Sequence, residues 1–347
     1  MDMREQRFGI EIEFTGITRA EAAEVAARYF GVDTRDSRHY GRDAYNVPDV
    51  QNRTWRFVSD GSIVAQRKQG GCRVNACDEY KVEMVSPICK YEDIPIIQEL
   101  VRRLRSAGAF ASQKCGIHIH VDASAFEAKH MKNLINIMAS KEDLIYKALN
   151  VQVERQYYCR KADSCFIDEI NRIKPRTRDT VMNIWNGNDR VTTQGRYRCL
   201  NLASIPRHGT VEFRLFNSDI RHAGKIKAYI QLSLAITAQA LNQKGASRIK
   251  TQSGNEKYTF RTWLLRLGMI GDEFKSARKH LLENLDGCIS WKDPSQAIAQ
   301  KERLRVEREA IQETTETAFF HAEPTEIVQE IDYEQEETLG FSMSMSM

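Results

Sequence analysis

Apolar and polar residues alternate with period two in several short stretches of the chain and with period 3.6 in longer ones, which separates candidate strands from candidate helices. In "RFGIEIEF" (7–14), Ile10, Ile12 and Phe14 share one face, and Glu11 and Glu13 the other. "YKVEMVSPI" (80–88) sets Val82 and Met84 against Glu83, and Pro87 ends it. "KCGIHIHVDAS" (114–124) sets Ile117, Ile119 and Val121 against His118, His120 and Asp122. "TVEFRLFN" (210–217) sets Val211, Phe213 and Leu215 against Glu212 and Arg214. "YRCLNLASI" (197–205) reads as a further strand, joined to it by the turn "PRHG". Residues 40–68 read as two or three strands, with a turn signal in "SDGSI" (59–63).

The helical period starts in "ITRAEAAEVAARYFG" (17–31). Thr18 is placed to cap the helix, Glu21 to complete a capping box and Gly31 to stop it, and Ala22, Val25, Ala26 and Tyr29 form its apolar stripe. Residues 91–107 turn Ile94, Ile97, Leu100, Val101 and Leu104 inward, and Gly108 closes the segment. Further helices are expected over 128–149, 223–242, 259–285 and 294–318. Residues 150–195 are polar, with little periodicity, and read as an insert or lid. The loop 243–257 marks a boundary, and no internal repeat is present.

Composition adds bounds. The 347 residues are 41% hydrophobic and 28% charged, the balance of a globular chain with a sizeable core. No apolar run reaches the length of a membrane span, and "MDMREQRFGI" has no signal-peptide pattern. The eight cysteines (72, 77, 89, 115, 159, 165, 199, 288) form no compact framework, so reduced thiols and a cytoplasmic location are expected. Cys72 and Cys77 lack the paired ligands of a zinc site and read as free thiols, and Cys115 reads as a buried one. The net charge of +4 is uneven: residues 323–347 hold seven acidic residues and no Lys or Arg, which leaves a formal +11 on the first 322. Such a body attracts phosphate, nucleic acid or an acidic substrate, while the tail, ending in "SMSMSM", is expected to be disordered.

The polar strand faces carry the chemistry. A solvated sheet face mixes Thr, Lys, Ser and Gln, whereas these faces are mostly Glu with His and Arg. Several Glu on neighbouring strands repel unless cations neutralise them. Carboxylates with one or two His suit Mg²⁺ or Mn²⁺, and the absence of Cys on these faces argues against zinc. Each motif alone has a plainer reading: a solvated E-x-E edge, surface or core histidines, an E-x-R salt bridge. The weight lies in their order along the chain.

"GIEIEF", then Trp55 with Asp60-Gly61-Ser62, "VEMVSP" (82–87), "CGIHIHVD" (115–122) and "YRCLNL"…"TVEFRLFN" (197–217) resemble the amidoligase family of the carboxylate–amine ligase superfamily, which includes glutamine synthetase and glutamate–cysteine ligase. The resemblance covers about residues 7–240. It implies an α+β, glutamine-synthetase-like catalytic fold, a mostly antiparallel sheet with one polar face forming a funnel and helices packed on the other. It further implies ATP, Mg²⁺ or Mn²⁺, a carboxylate substrate and an amine substrate, possible peptides or cell-surface polymers among them. By the same resemblance Glu11, Glu13, Glu83, His120 and Glu212 are the expected metal ligands, and His120, with His118 beside it, is expected to face the metal or the nucleotide. Arg214 and Arg207 are expected on phosphate, and Glu212 and Arg214 at the catalytic centre. Asp60 is open between orienting a substrate and holding a turn, and Asn201 between a substrate contact and a strand-end hydrogen bond.

These readings divide the chain into a catalytic domain (1–242), a helical extension (243–322) and an acidic tail (323–347). Two other classes were weighed. A metal-dependent hydrolase would use the His-x-His strand, but the later His residues (130, 208, 222, 280, 321) lack a strand-end setting in the sequence. A nucleic-acid-binding protein would use the basic body, but no Arg/Lys helix with interleaved aromatics is present. No membrane partner is expected, and the oligomeric state is not legible.

Overall fold

The polar and apolar faces read from the sequence become the two sides of one sheet. A computed structural model describes residues 1–32, 38–40, 44–188 and 195–320. The strands are β1 (Phe8–Phe14), β2 (Arg38–Tyr40), β3 (Ala44–Pro48), β4 (Thr54–Val58), β5 (Gln66–Gln69), β6 (Cys72–Asn75), β7 (Val82–Val85), β8 (Gly116–Asp122), β9 (Leu200–Asn201) and β10 (Thr210–Asn217). The helices are α1 (Arg19–Phe30), α2 (Ile94–Ser106), α3 (Ala128–Leu149), α4 (Ser164–Ile173), α5 (Arg178–Asn188), α6 (Ser204–His208), α7 (Ala223–Asn242), α8 (Glu256–Arg266), α9 (Lys275–Leu282) and α10 (Pro294–Phe320). Among the described residues, eight strands form an antiparallel sheet in the order β2-β3-β4-β7-β1-β8-β10-β9, and β5 and β6 form a separate hairpin. The fold is α+β.

One side of the sheet is apolar. Ile10, Ile12, Phe57, Met84, Ile119 and Phe213 are fully buried there, each worth roughly 1.5–3 kcal/mol of burial. The helices α1, α3 and α7 contact this sheet, and α2 joins the layer by packing on α1 and α7. The α1 cap forms as the sequence predicts: Thr18 and Glu21 make the reciprocal capping box, and Gly31 ends the helix at φ +70°. Both α3 and α7 keep the limits expected for them.

The structure departs from the expectations in several places. Residues 197–205 are not one long strand; β9 has two residues, and "SIPRH" is the short helix α6, because Asn201 accepts from the Ala203 amide and turns the chain. The segment 259–285 breaks into α8 and α9 around Gly268 and Gly271, both at positive φ. Residues 150–188 are more ordered than their polarity suggested. They include α4, which buries Phe166 and Ile170, and α5, which buries Val181 and Trp185, and both pack on α3. The first compact unit runs from Met1 to Pro294, past the boundary expected at 242, since α9 packs against α7. The second unit (295–347) contains α10, on which Ile298, Leu304, Val306 and Ile311 are exposed. The acidic tail (323–347) lies outside the described residues. No described helix is long and apolar enough to cross a membrane.

Candidate active site

Register brings the polar residues into one patch. Glu11 pairs across the sheet with His118 and Glu13 with Glu83, while Glu212 lies between His120 and Asn201. Period-two alternation puts all of them on the side away from the helical layer. His118 Nδ1 donates to Glu11 Oε2 (3.0 Å), and its Nε2 lies 3.5 Å from Glu13 Oε1. His120 Nδ1 is hydrogen-bonded to Thr210 Oγ1 at 3.0 Å and lies 3.3 Å from Ser204 Oγ. Its other ring nitrogen, Nε2, is buried without a hydrogen-bond partner among the described residues, 3.5 Å from Glu11 Oε1 and 3.9 Å from Glu212 Oε1. An imidazole fixed through one nitrogen, with the other aimed between two carboxylates, is the arrangement of a metal ligand.

Among the described residues three overlapping groups offer ligand atoms within 4.8 Å of one another: Glu11, His120 and Glu212; Glu11, Glu83 and His118; Glu13, Asp60 and Glu83. All five expected ligands fall in these groups, and His118 and Asp60 join them. Oxygen and imidazole donors without thiolate fit Mg²⁺ or Mn²⁺. Asp60 also holds its turn, accepting from the Ser62 amide (2.6 Å) and hydroxyl (2.5 Å), so its two readings are compatible. Asn201 Nδ2 donates to Glu212 Oε2 (2.6 Å), which orients that carboxylate. Arg214 Nη1 donates to Glu212 Oε1, and Arg214 Nε is buried without a hydrogen-bond partner among the described residues.

Charge is unevenly settled across the patch. Burial pushes the Glu11 carboxyl up, but the hydrogen bond from His118 and the nearby charge of His118 and His120 outweigh it and hold the group far below the usual range. Glu212 is likewise depressed: burial opposes, and Arg214, His118 and His120 prevail. Burial lowers His120, yet Glu11 and Glu212 raise it overall. Burial raises Glu13, although His118 and Arg155 pull it back.

Glu83 is pushed up to about 9 by burial first, then by Glu11, Glu13 and Asp60. A Glu in the unfolded chain titrates at about 4.3. Between these values the folded, cation-free protein holds a proton that the unfolded chain has lost, so the contribution of Glu83 to stability falls as pH rises. A divalent cation relieves the same repulsion without the proton. Mg²⁺ should therefore raise the melting temperature more at about pH 8 than at about pH 5.5, and Glu83→Gln should shrink that difference. Equal Mg²⁺ effects at both pH values, read by calorimetry, would contradict this electrostatic account.

The sheet register hides a bulge. Residues 210–213 and 216–217 of β10 pair with β8 one position out of step, so Arg214 and Leu215 together face His118. The bulge sends both Leu215 and Phe216 to the core and brings Asn217 to the polar side. Its free carbonyl, that of Arg214, accepts from Arg155 Nη2 at 2.7 Å. Arg155 is 2% exposed and was not picked out from the sequence; the only local signal was the adjacent apolar pair "LF" in an otherwise alternating strand. Gly116 makes room for it. A Cβ at Gly116 would lie 2.3 Å from Arg155 Nη2, and the Gly116 amide donates to Glu13 Oε2 (2.6 Å). Gly116→Ala should cost about 1–3 kcal/mol through overpacking and displace Arg155 from the bulge. Urea denaturation checks this, and an unchanged midpoint would show that Arg155 swings aside freely.

Cavities flank the patch. One of about 630 Å³ lies toward the start of β1, lined by Phe8, Ile10, Val85, Pro87 and Ile88, with Arg56 and Arg178 among its polar residues. Gly9 leaves its floor open: a Cβ there would meet nothing closer than 3.9 Å. A second, of about 500 Å³, is lined by Glu13, Asp60, Glu83 and His118 together with Lys114, Arg155, Tyr158, Arg196 and Tyr197. Glu11 lines both. A small cavity of about 160 Å³ holds Arg196, Arg207, His208 and Arg214 beside Glu11, His120 and Glu212. The exposed Arg207 thus belongs to the site, on α6. His208, which lacks a strand-end setting in the sequence, nonetheless reaches the site; its ring lies edge-on to His120 at 6.1 Å. The eight cysteines are free, with Cys72 and Cys77 exposed and Cys115 buried.

Residues 4–237 match the family described as "Putative amidoligase enzyme". The match spans well over half of the chain, and the protein belongs to that family. A search of curated proteins finds no match. Among solved structures the chain is similar to a bifunctional glutathione synthetase from Pasteurella multocida, with 12% identity and a TM-score of 0.39. That similarity covers 88% of this chain and 49% of the other, so this chain spans about half the length of that protein.

Proposed function

We propose that the protein is an ATP-dependent carboxylate–amine ligase that forms an amide or peptide-like bond through an acyl phosphate, on a glutamine-synthetase-like catalytic fold. The observation that carries this reading is the convergence of Glu11, Glu13, Glu83, His118, His120, Glu212 and Arg214 between two cavities of contrasting lining. The apolar cavity beside Glu11 and His120 suits a nucleotide base, and Arg56 and Arg178 suit its phosphates. The acid- and cation-lined cavity suits the carboxylate and the amine.

Glu11, His120 and Glu212 would hold one cation, and Glu13, Asp60 and Glu83 another. When bound, Mg²⁺ or Mn²⁺ supplies Lewis-acid neutralisation of the phosphate charge. Arg214 and Arg207 hold the transferred phosphoryl group, and Asn201 keeps Glu212 oriented. A substrate carboxylate oxygen attacks the γ-phosphorus and ADP leaves. The amine nitrogen then attacks the acyl carbon, phosphate leaves and the nitrogen loses a proton. Asp60, at the acid end, is placed to attract the amine. Family analogy extends the carboxylate and amine to amino acids, peptides or surface polymers, and a cytoplasmic setting supplies ATP.

One observation favours the hydrolase alternative: His208 adds a third imidazole near His120. The two readings separate in one assay. The protein is incubated with ATP, Mg²⁺ and pooled carboxylates and amines, with release of ADP and phosphate followed and product mass read as the sum of two substrates minus water. The ligase reading fails if ATP neither raises the melting temperature nor is consumed in Mg²⁺ or Mn²⁺, and amide cleavage without ATP would establish the hydrolase.

A further inference from the structure

The acid-lined cavity has a second chemistry. Lys114 and Arg196 also line it, and both are exposed. Neither forms an ion pair with an acidic group among the described residues, whereas Lys147, Lys161 and Lys250 sit 2.5–2.6 Å from carboxylates of Glu256, Asp143 and Glu142. Arg196 instead donates from Nη2 to the Tyr197 hydroxyl (2.7 Å), with its guanidinium carbon 4.8 Å from that ring's centroid. This leaves its remaining N–H groups free of any carboxylate among the described residues. Tyr158 and Tyr197 meet edge-on with centroids 5.4 Å apart, and Tyr157 packs on both.

Two arguments turn this rim into a statement about the substrate. The first is size. About 500 Å³ lies within the range of about 300–1,000 Å³ that whole small molecules occupy, and a reacting carboxyl group and an amine fill little of it. The second is charge. Glu11 and Asp60 repel an incoming anion, and fixed cations at the rim offset that repulsion and steer it. A monocarboxylate would bring its single charge to the reacting centre and leave Lys114 and Arg196 unmatched.

We propose that the carboxylate substrate carries a second anionic group, held by Lys114 and Arg196, with an apolar spacer lying against Tyr158 and Tyr197. The inference deepens the ligase reading and rests on it for which carboxyl reacts; the anion site itself is measured without ATP. Calorimetric titration of the full chain in Mg²⁺ uses the dicarboxylates from succinate to pimelate and the monocarboxylates of equal carbon number. At least one dicarboxylate should bind about tenfold more tightly than its match, the size of one charge-assisted hydrogen bond. Lys114→Ala and Arg196→Ala should each remove most of that preference. Both residues are exposed, so the melting temperature without ligand checks that the fold is intact. The proposal is overturned if no dicarboxylate outbinds its match, or if the preference survives in the double variant. If ATP fails to bind while the preference holds, the ligase reading falls and the anion site stands.

Discussion

Glu11→Gln is expected to lower turnover by about 10²–10³-fold or more, the largest effect of any single substitution in the site. Among the described residues Glu11 belongs to two of the three groups that could hold a cation, and it lines the cavities of about 630 and 500 Å³ that flank the patch. The amide keeps the shape of the side chain and still accepts from His118 Nδ1, so the fold should persist. What it loses is the charge that His118 and His120 hold in its ionised form. Mg²⁺ titration by calorimetry should show weaker binding in step with the loss of ATP turnover. Unchanged cation affinity in a folded Glu11→Gln protein would move the cation site elsewhere.

Arg214→Lys should raise the reaction barrier by about 2–4 kcal/mol and leave the protein folded. Lysine keeps a positive charge near Glu212 but offers a point charge in place of a planar fork. In the structure one arm of that fork holds Glu212, and the buried Nε has no hydrogen-bond partner among the described residues. A purely structural role would need only the ion pair, which lysine can reproduce. Steady-state kinetics with a melting curve separate the two roles: lost kcat at an unchanged melting temperature assigns Arg214 to phosphoryl transfer, and unchanged turnover assigns it to the ion pair with Glu212.

Both predictions concern residues that the sequence singled out, for a physical reason. Alternation is a local signal, and each strand of the polar patch bears its own copy of it. Where local chemistry is self-sufficient, the reading carried through to single residues. Thr18, Glu21 and Gly31 bound α1 by hydrogen bonds within a few positions of one another, and α3 and α7 have the limits expected for them. Residues 197–209 show the opposite case. Their apolar pattern suits a strand, but β9 stops after Asn201, whose side chain is shared between the Ala203 amide and Glu212, eleven residues on.

The sequence by itself determined that this chain builds a sheet with one apolar and one acidic face, which residues stand on the acidic face, and which family they resemble. These follow from period-two patterning and motif order, both contained in short stretches. Only the tertiary structure decided the rest. Antiparallel register set Glu11 opposite His118 and Glu13 opposite Glu83. A bulge, filled by an arginine 59 residues away, set the phase of β10 at Arg214. Packing of distant segments brought Arg155, Tyr158, Arg196 and Tyr197 to the acid-lined cavity. Register, bulges and cavity walls depend on contacts between distant segments, whose geometry is fixed by packing rather than by the local period of the chain.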